Sequence, residues 1–317
     1  KDPHVPSRIF TAGEVPIPGF LFDDPKVREE LALYYSSVRR ADDCVGEILK
    51  ALDASGEASN TVVMFLSDHG MPLPFAKTQL YHHSTHTPWI VRWPGVTRDG
   101  AVDGKHMISA VDMLPTLLDI VGVKHPARLD GRSFLSLIRG NTQTGRDRIF
   151  KEYNENAGAS RDPMRAVQTK RYLYIFNPWS NSERVFATAT TGTVTYRRLV
   201  DLAKQDNRLA NRLAKRLDLY KHRVPEELYD VANDPDCLHN LIDEPGHQAA
   251  LPSLRSELEG WMKRTKDPML AVFQKRNDVA YREAYVRKEE EEALERRKQR
   301  RGKQRSKRAP SKQSARL

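Results

Sequence analysis

Asp68 and His69 stand side by side directly after an apolar run, and their types are those that bind metal. A carboxylate oxygen next to an imidazole nitrogen suits a divalent cation. The same two residues also read as a capping Asp beside a surface His, and the pair alone does not choose between these. Lys77 and Tyr81 follow on a polar loop. Asp112 is a second tempting carboxylate, but Pro115 three residues on makes it the cap of a helix. The two cysteines, Cys44 and Cys237, form no disulfide framework.

The elements around the pair must position it. Val62 to Leu66 is apolar and rich in β-branched residues, so it predicts a buried strand of a parallel sheet. A carboxylate and an imidazole at the C-terminal end of such a strand lie where open α/β sheets place ligands. Adjacent strand residues point to opposite faces, but where the backbone turns at a strand end both side chains can converge. Trp89 to Trp93 is a second apolar run that returns to the core. Ahead of the strand, residues 11–23 form a Pro- and Gly-rich loop. Asp24 and Pro25 then start a helix as N-cap and first helical residue. Val27, Leu31, Tyr34, Val38, Val45, Ile48, Leu49 and Leu52 recur at helical spacing, and Gly56 closes it. This helix is expected to pack on the sheet face. Ile108 to Leu118 reads as a strand end and a helix, and Asp130 to Phe134 as a turn before another short helix.

The texture changes near Arg148. Residues 165–169 and 172–176 predict two short strands joined at Lys170-Arg171. A further segment runs from Glu227 to Asp230, and a helix from Ser253 to Arg264. Strands followed by helices suggest a small α+β unit on an antiparallel sheet. Residues 195–219 read as an inserted helical pair. The domain reading is therefore 1–147, 148–274 and a basic tail, 275–317. A charged helix is expected over residues 287–301, and disorder over the rest of the tail.

The chain has 317 residues, 39% of them hydrophobic, with a net charge of +10. That charge is local. Residues 282–317 hold 14 Lys and Arg against 6 Asp and Glu, a net of +8. The body is thus close to neutral. A basic tail attracts polyanions electrostatically, but no aromatic interleaving or nucleic-acid fold signature supports specific nucleic-acid reading. No apolar run is long enough to span a membrane.

Taken together, several segments resemble the sulfatase family of the alkaline phosphatase superfamily, and heparan N-sulfatase-like enzymes in particular. They are Asn60-Thr61 through Ser67-Asp68-His69-Gly70, then Lys77, then Thr87-Pro88 through Trp93-Pro94-Gly95. Asp112 to Leu118, with its Pro115-Thr116-Leu117-Leu118, and Glu227-Leu228-Tyr229-Asp230 with Asp234-Pro235 and Asn240-Leu241 match further family segments. The resemblance implies an alkaline-phosphatase-like α/β/α sandwich, present in part, followed by a small α+β subdomain. It implies a divalent metal held by Asp68 and by the next residue, here His69. Calcium is usual in the family, while an imidazole suits Zn or Mn. It makes Lys77 a contact to the sulfate group. It places His4, in the turn Asp2-Pro3-His4-Val5-Pro6, at the sulfate or the leaving oxygen.

In the family the nucleophile is a formylglycine made from a Cys followed by x-Pro-Ser-Arg. Neither Cys44 nor Cys237 has that context. His4-Val5-Pro6-Ser7-Arg8 imitates it with His in place of Cys, and His cannot become formylglycine. The expectation is the C-terminal portion of a metal-dependent sulfatase acting on sulfated carbohydrate, exported to the periplasm or secreted as family members usually are. This portion by itself is expected to be inactive. Two alternatives remain: a phosphatase or phosphodiesterase of the same superfamily, or a non-catalytic module that binds acidic glycans.

Overall fold

The computed structural model describes residues 5–155 and 161–308, with side chains as far as residue 299. The elements run α1 (Pro25–Ala54), β1 (Val63–Leu66), α2 (His82–Thr85), β2 (Trp89–Arg92), α3 (Met113–Ile120), α4 (Leu135–Ile138) and β3 (Arg148–Glu155). They continue β4 (Arg161–Thr169), β5 (Tyr172–Phe176), α5 (Val194–Leu202), α6 (Arg208–His222), β6 (Glu226–Asp230), α7 (Leu251–Thr265), α8 (Leu270–Gln274) and α9 (Val279–Arg308).

Helix α1 begins as its residues dictate. The Asp24 carboxylate accepts the Lys26 N–H at 2.9 Å, and Pro25 occupies the first turn. At the other end Gly56 takes φ +77°, a left-handed turn that costs glycine little. The expected packing on a sheet is not what is seen. Val27, Leu31 and Ala32 instead pack with Leu199 of α5, Leu213 of α6 and the loop residues Val15, Phe22 and Leu73. Val38 and Ile48 in the later turns are exposed.

The strand before Asp68 also differs from expectation. β1 pairs with β2, and the pairing is antiparallel, with Leu66 opposite Trp89 and Phe65 opposite Ile90. Phe65 and Ile90 share one exposed face. An apolar run of four or five residues is compatible with either sheet type, and periodicity alone cannot separate them. No strand forms at Ile108. Asp112 is buried, and its carboxylate does not cap α3. It accepts the Ser109 and Arg132 N–H groups and pairs with Arg146.

The second part is a four-stranded antiparallel sheet in the order β3-β4-β5-β6. The hairpin between β4 and β5 turns at Lys170-Arg171, as expected. The two faces alternate as strand geometry requires. Ala166, Leu173, Ile175 and Tyr229 face the loop that carries Lys77. Val167, Tyr174, Phe176 and Leu228 face α7 and α8. The charged helix expected over residues 287–301 is present and longer than expected, running from Val279 to Arg308. Its first turns are fastened to the sheet unit. Arg282 is buried and donates to the Ser180 carbonyl, Glu289 pairs with Arg161, and Glu290 pairs with Arg184. Composition does not show this, because the partners Arg161, Arg184 and Ser180 lie far off in sequence.

Candidate functional site

Asp68 and His69 sit on the turn that leaves β1. The His69 Nδ1 atom lies 2.7 Å from the Gly70 carbonyl. A carbonyl can only accept, so Nδ1 carries a proton, and in the neutral ring it is Nε2 that holds the lone pair. That Nε2 lies 3.7 Å from Asp68 Oδ2. The carboxylate is largely exposed and the ring is half-buried. An oxygen donor and a nitrogen lone pair on the same small patch suit a divalent cation. Among the described residues no third His, Cys, Asp or Glu joins them.

Gly70 lets the loop fold back on itself. A Cβ there would overlap the His83 carbonyl oxygen and lie 2.7 Å from the Ala76 oxygen. The Gly70 N–H donates to the Ser84 carbonyl at 3.2 Å. The peptide before Lys77 and the turn of α2 are thereby pressed against the Asp68-His69 turn. Lys77 itself is half-buried, and no carboxylate of the described residues pairs with it. Phe75 and Thr78 on either side take φ +68° and +57°. Left-handed non-glycine residues are strained, and such strain persists only where surrounding structure holds it.

That holding structure is the C-terminal sheet. The Tyr81 hydroxyl donates to Glu227 at 2.8 Å and receives a hydrogen bond from Arg223. Glu227 also accepts from Tyr229 and from Asn177 Nδ2, the latter at 2.7 Å. All five side chains are buried. Burial pushes the Tyr81 phenol well above its usual range. Arg223 lies against Tyr81, Phe186 and Tyr220, stacking its cation on their rings. A second link runs from β3. Lys151 is buried and donates to the Leu80 carbonyl at 3.2 Å and to Gln168 Oε1. Gln168 Nε2 in turn meets His82 Nδ1 at 2.9 Å.

The sequence-predicted residues Asp68, His69 and Lys77 thus share one loop system. His4 lies outside the described residues. The tyrosine–glutamate–arginine network and the Lys151–Gln168–His82 chain join residues distant in sequence. In the sequence Glu227 stands only as part of a family segment, and the spacing His82-His83-x-x-His86 is the one signal that points to the second chain.

The mixed α/β architecture, a strand end bearing Asp68-His69 followed by a separate antiparallel sheet, is alkaline-phosphatase-like. Solved structures support that fold: a 2-O GAG sulfatase superposes with TM-score 0.57 at 23% identity, over 78% of this chain and 46% of that one. The model of the family described as Sulfatase matches residues 9–123, and that of N-sulphoglucosamine sulphohydrolase, C-terminal, matches residues 68–186. The chain belongs to the sulfatase family. An Ulvan-active sulfatase of Formosa agariphila is 30% identical over 261 residues, covering 79% of this chain and 41% of the relative. The N-sulphoglucosamine sulphohydrolase of Homo sapiens is 28% identical over 273 residues, covering 82% and 53%. The chain therefore spans about half the length of the relatives it matches. Among the described residues no helix is long and apolar enough to cross a membrane.

Proposed function

We propose that the chain is the C-terminal portion of a sulfuric ester or sulfamate hydrolase acting on sulfated carbohydrate, heparan sulfate-like glycans in particular. The observation that carries this is Lys77: a half-buried cation, unpaired among the described residues, held beside Asp68-His69 by a strained loop. Its ammonium is a point charge suited to sulfonyl oxygens. Asp68 and His69 would hold the divalent cation, calcium by family habit, with Zn or Mn favoured by the His69 nitrogen. Such a cation supplies positive charge where the sulfonyl oxygens accumulate negative charge. His4 is assigned to the leaving-group side, where an imidazole can pass a proton. The formylglycine nucleophile is assigned to a part of the protein beyond these 317 residues. Relatives named for N-sulphoglucosamine and for 2-O-sulfated GAG support the substrate class. A periplasmic or secreted location belongs to the same reading.

The test is sulfate release from D-glucosamine N-sulfate by the protein that includes the nucleophile segment. Lys77→Ala should lower kcat/KM about 100-fold, the usual scale for a group that stabilises developing charge. Equal turnover by the variant would remove Lys77 from the site. Release of phosphate from monoesters, with none of sulfate, would instead identify a phosphatase. Sulfate turnover by these 317 residues alone would overturn the assignment of the nucleophile.

A further inference from the structure

Three histidines, His82, His83 and His86, cluster on the α2 segment. His83 is taken up structurally. Its Nε2 meets Asp236 Oδ1 at 2.9 Å, and its ring packs on Phe20. His82 and His86 are different. Their rings stack at 4.6 Å with an interplanar angle of 22°, His82 half-buried and His86 exposed.

The protonation of His82 follows from its partners. Lys151 Nζ donates to the Leu80 carbonyl and to the Gln168 oxygen, so that oxygen accepts. The Gln168 amide nitrogen must then donate to His82 Nδ1, and the His82 proton resides on Nε2. The ring is a neutral donor. Burial holds its pKa down to about 4, with His86, Lys151 and His83 adding to the effect. Burial, Lys151 and His83 lower His86 likewise.

The surroundings favour an anion. Lys151, His82, His83 and His86 crowd together. The carboxylate facing them in the described structure is Asp236, which is engaged by His83. The Cys237 thiol also faces Lys151, and burial pushes it up to about 12, so it carries no negative charge at neutral pH. Gln79, in the same turn as Lys77, has a buried side-chain amide whose oxygen and nitrogen both lack a hydrogen-bond partner. A buried amide with neither end satisfied points to a bound water or ligand group. The pair also lies at the site. Strand pairing runs one step past β1 and β2, with Ser67 N–H donating to the Pro88 carbonyl at 3.4 Å, and His86 is two residues from Pro88.

We propose that His82 and His86 form a substrate subsite that hydrogen-bonds an oxyanion of the sulfated sugar, with Gln168 and Lys151 as positioning residues. This rests on the sulfatase reading and deepens it by assigning the groups that recognise the sugar around the sulfate. Loss of one such hydrogen bond should weaken binding about tenfold.

The experiment is imidazole NMR on the histidine-labelled 317-residue chain at neutral pH. The free protein should show His82 as the single Nε2–H tautomer. Gln168→Leu should release that tautomer, an effect that loss of packing alone does not produce. D-glucosamine N-sulfate should shift His82 and His86 saturably, leaving His125, His239 and His247 unmoved, and His86→Ala should raise the half-saturation point about tenfold. The proposal is overturned if no shift occurs, if all histidines shift alike, or if unsulfated D-glucosamine or inorganic sulfate alone gives the same response. Sulfate release by the protein that includes the nucleophile segment, with no histidine shift in the 317-residue chain, removes the subsite alone. Histidine shifts with no sulfate release by that longer protein remove the sulfatase reading and leave the anion subsite standing.

Discussion

Individual side chains in this molecule are tuned by what surrounds them, and the two cysteines show it most simply. Cys44 is exposed on α1, while Cys237 is buried and its thiol is pushed up to about 12 by burial. The thiolate is the reactive form. Iodoacetamide at pH 8 should therefore alkylate Cys44 alone in the folded chain and both thiols in urea, as read by mass spectrometry. Modification of Cys237 in the folded state would mean that the loop after Asp234 opens. Gly70 is tuned by contact rather than charge. A Cβ there would overlap the His83 carbonyl, which is backbone and cannot swing aside. Gly70→Ala should cost about 2 kcal/mol by forced displacement, measured by the urea midpoint, and should displace Lys77 with it. At this scale the sequence marks Asp68 and His69 as candidates through residue type and Lys77 through the family resemblance, and the fold brings the three onto one loop system. The sequence was silent on Lys151, because a single Lys in a strand reads as a solvated face until its burial is known.

Elements hold the site through contacts that are distant in sequence. The loop carrying Lys77 is tied to β6 by Tyr81, Glu227 and Arg223, residues 142 to 146 positions apart across the main links. Glu227→Ala would leave Tyr81, Tyr229 and Asn177 without their acceptor, and the buried Arg223 guanidinium without the carboxylate it faces through the Tyr81 hydroxyl. Leaving a buried charge uncompensated costs about 3–5 kcal/mol, and urea denaturation should show that loss. Adding Arg223→Met to the first substitution should recover part of it, since no buried charge then remains. Additive losses would show that the two residues do not interact. The last helix makes a similar point. Its early turns place Tyr281 and Tyr285 on the core and pair Glu289 and Glu290 with Arg161 and Arg184. Ending the chain at Gln274 should cost about 3 kcal/mol in buried apolar area and ion pairs, whereas ending it at residue 299 should leave the urea midpoint unchanged. Glu-to-Arg spacing predicts the helix over residues 287–301 but not its earlier turns. The helix is held by partners that no local window contains.

For the whole molecule, the α+β half was the more legible from sequence, and the half around β1 the less. Hairpin and helix patterns between 148 and 265 depend on local alternation and turn residues, and these survived into the structure. The sheet direction at β1 and the seat of α1 depend on which elements meet, and periodicity carries no record of that. The seam between the two halves is where stability should respond to pH. Lys151 is buried there, and burial depresses its pKa from 10.5 to about 7. In the unfolded chain the same lysine keeps its ordinary value. Between about pH 7 and pH 10 the unfolded state therefore binds more protons, and stability rises with pH through that window. Below about pH 7 the ammonium is charged in both states, and its burial penalty is fully present. A shift of this size corresponds to about 4 kcal/mol across the window. The chain should accordingly gain urea resistance between pH 6.5 and pH 9.5, and Lys151→Met should abolish most of that gain. The variant should be the more stable protein at pH 6.5, with the advantage shrinking toward pH 9.5. A parallel pH profile for the two proteins would show that Lys151 is solvated in solution, and the seam between the Lys77 loop and β3 would then be open to water.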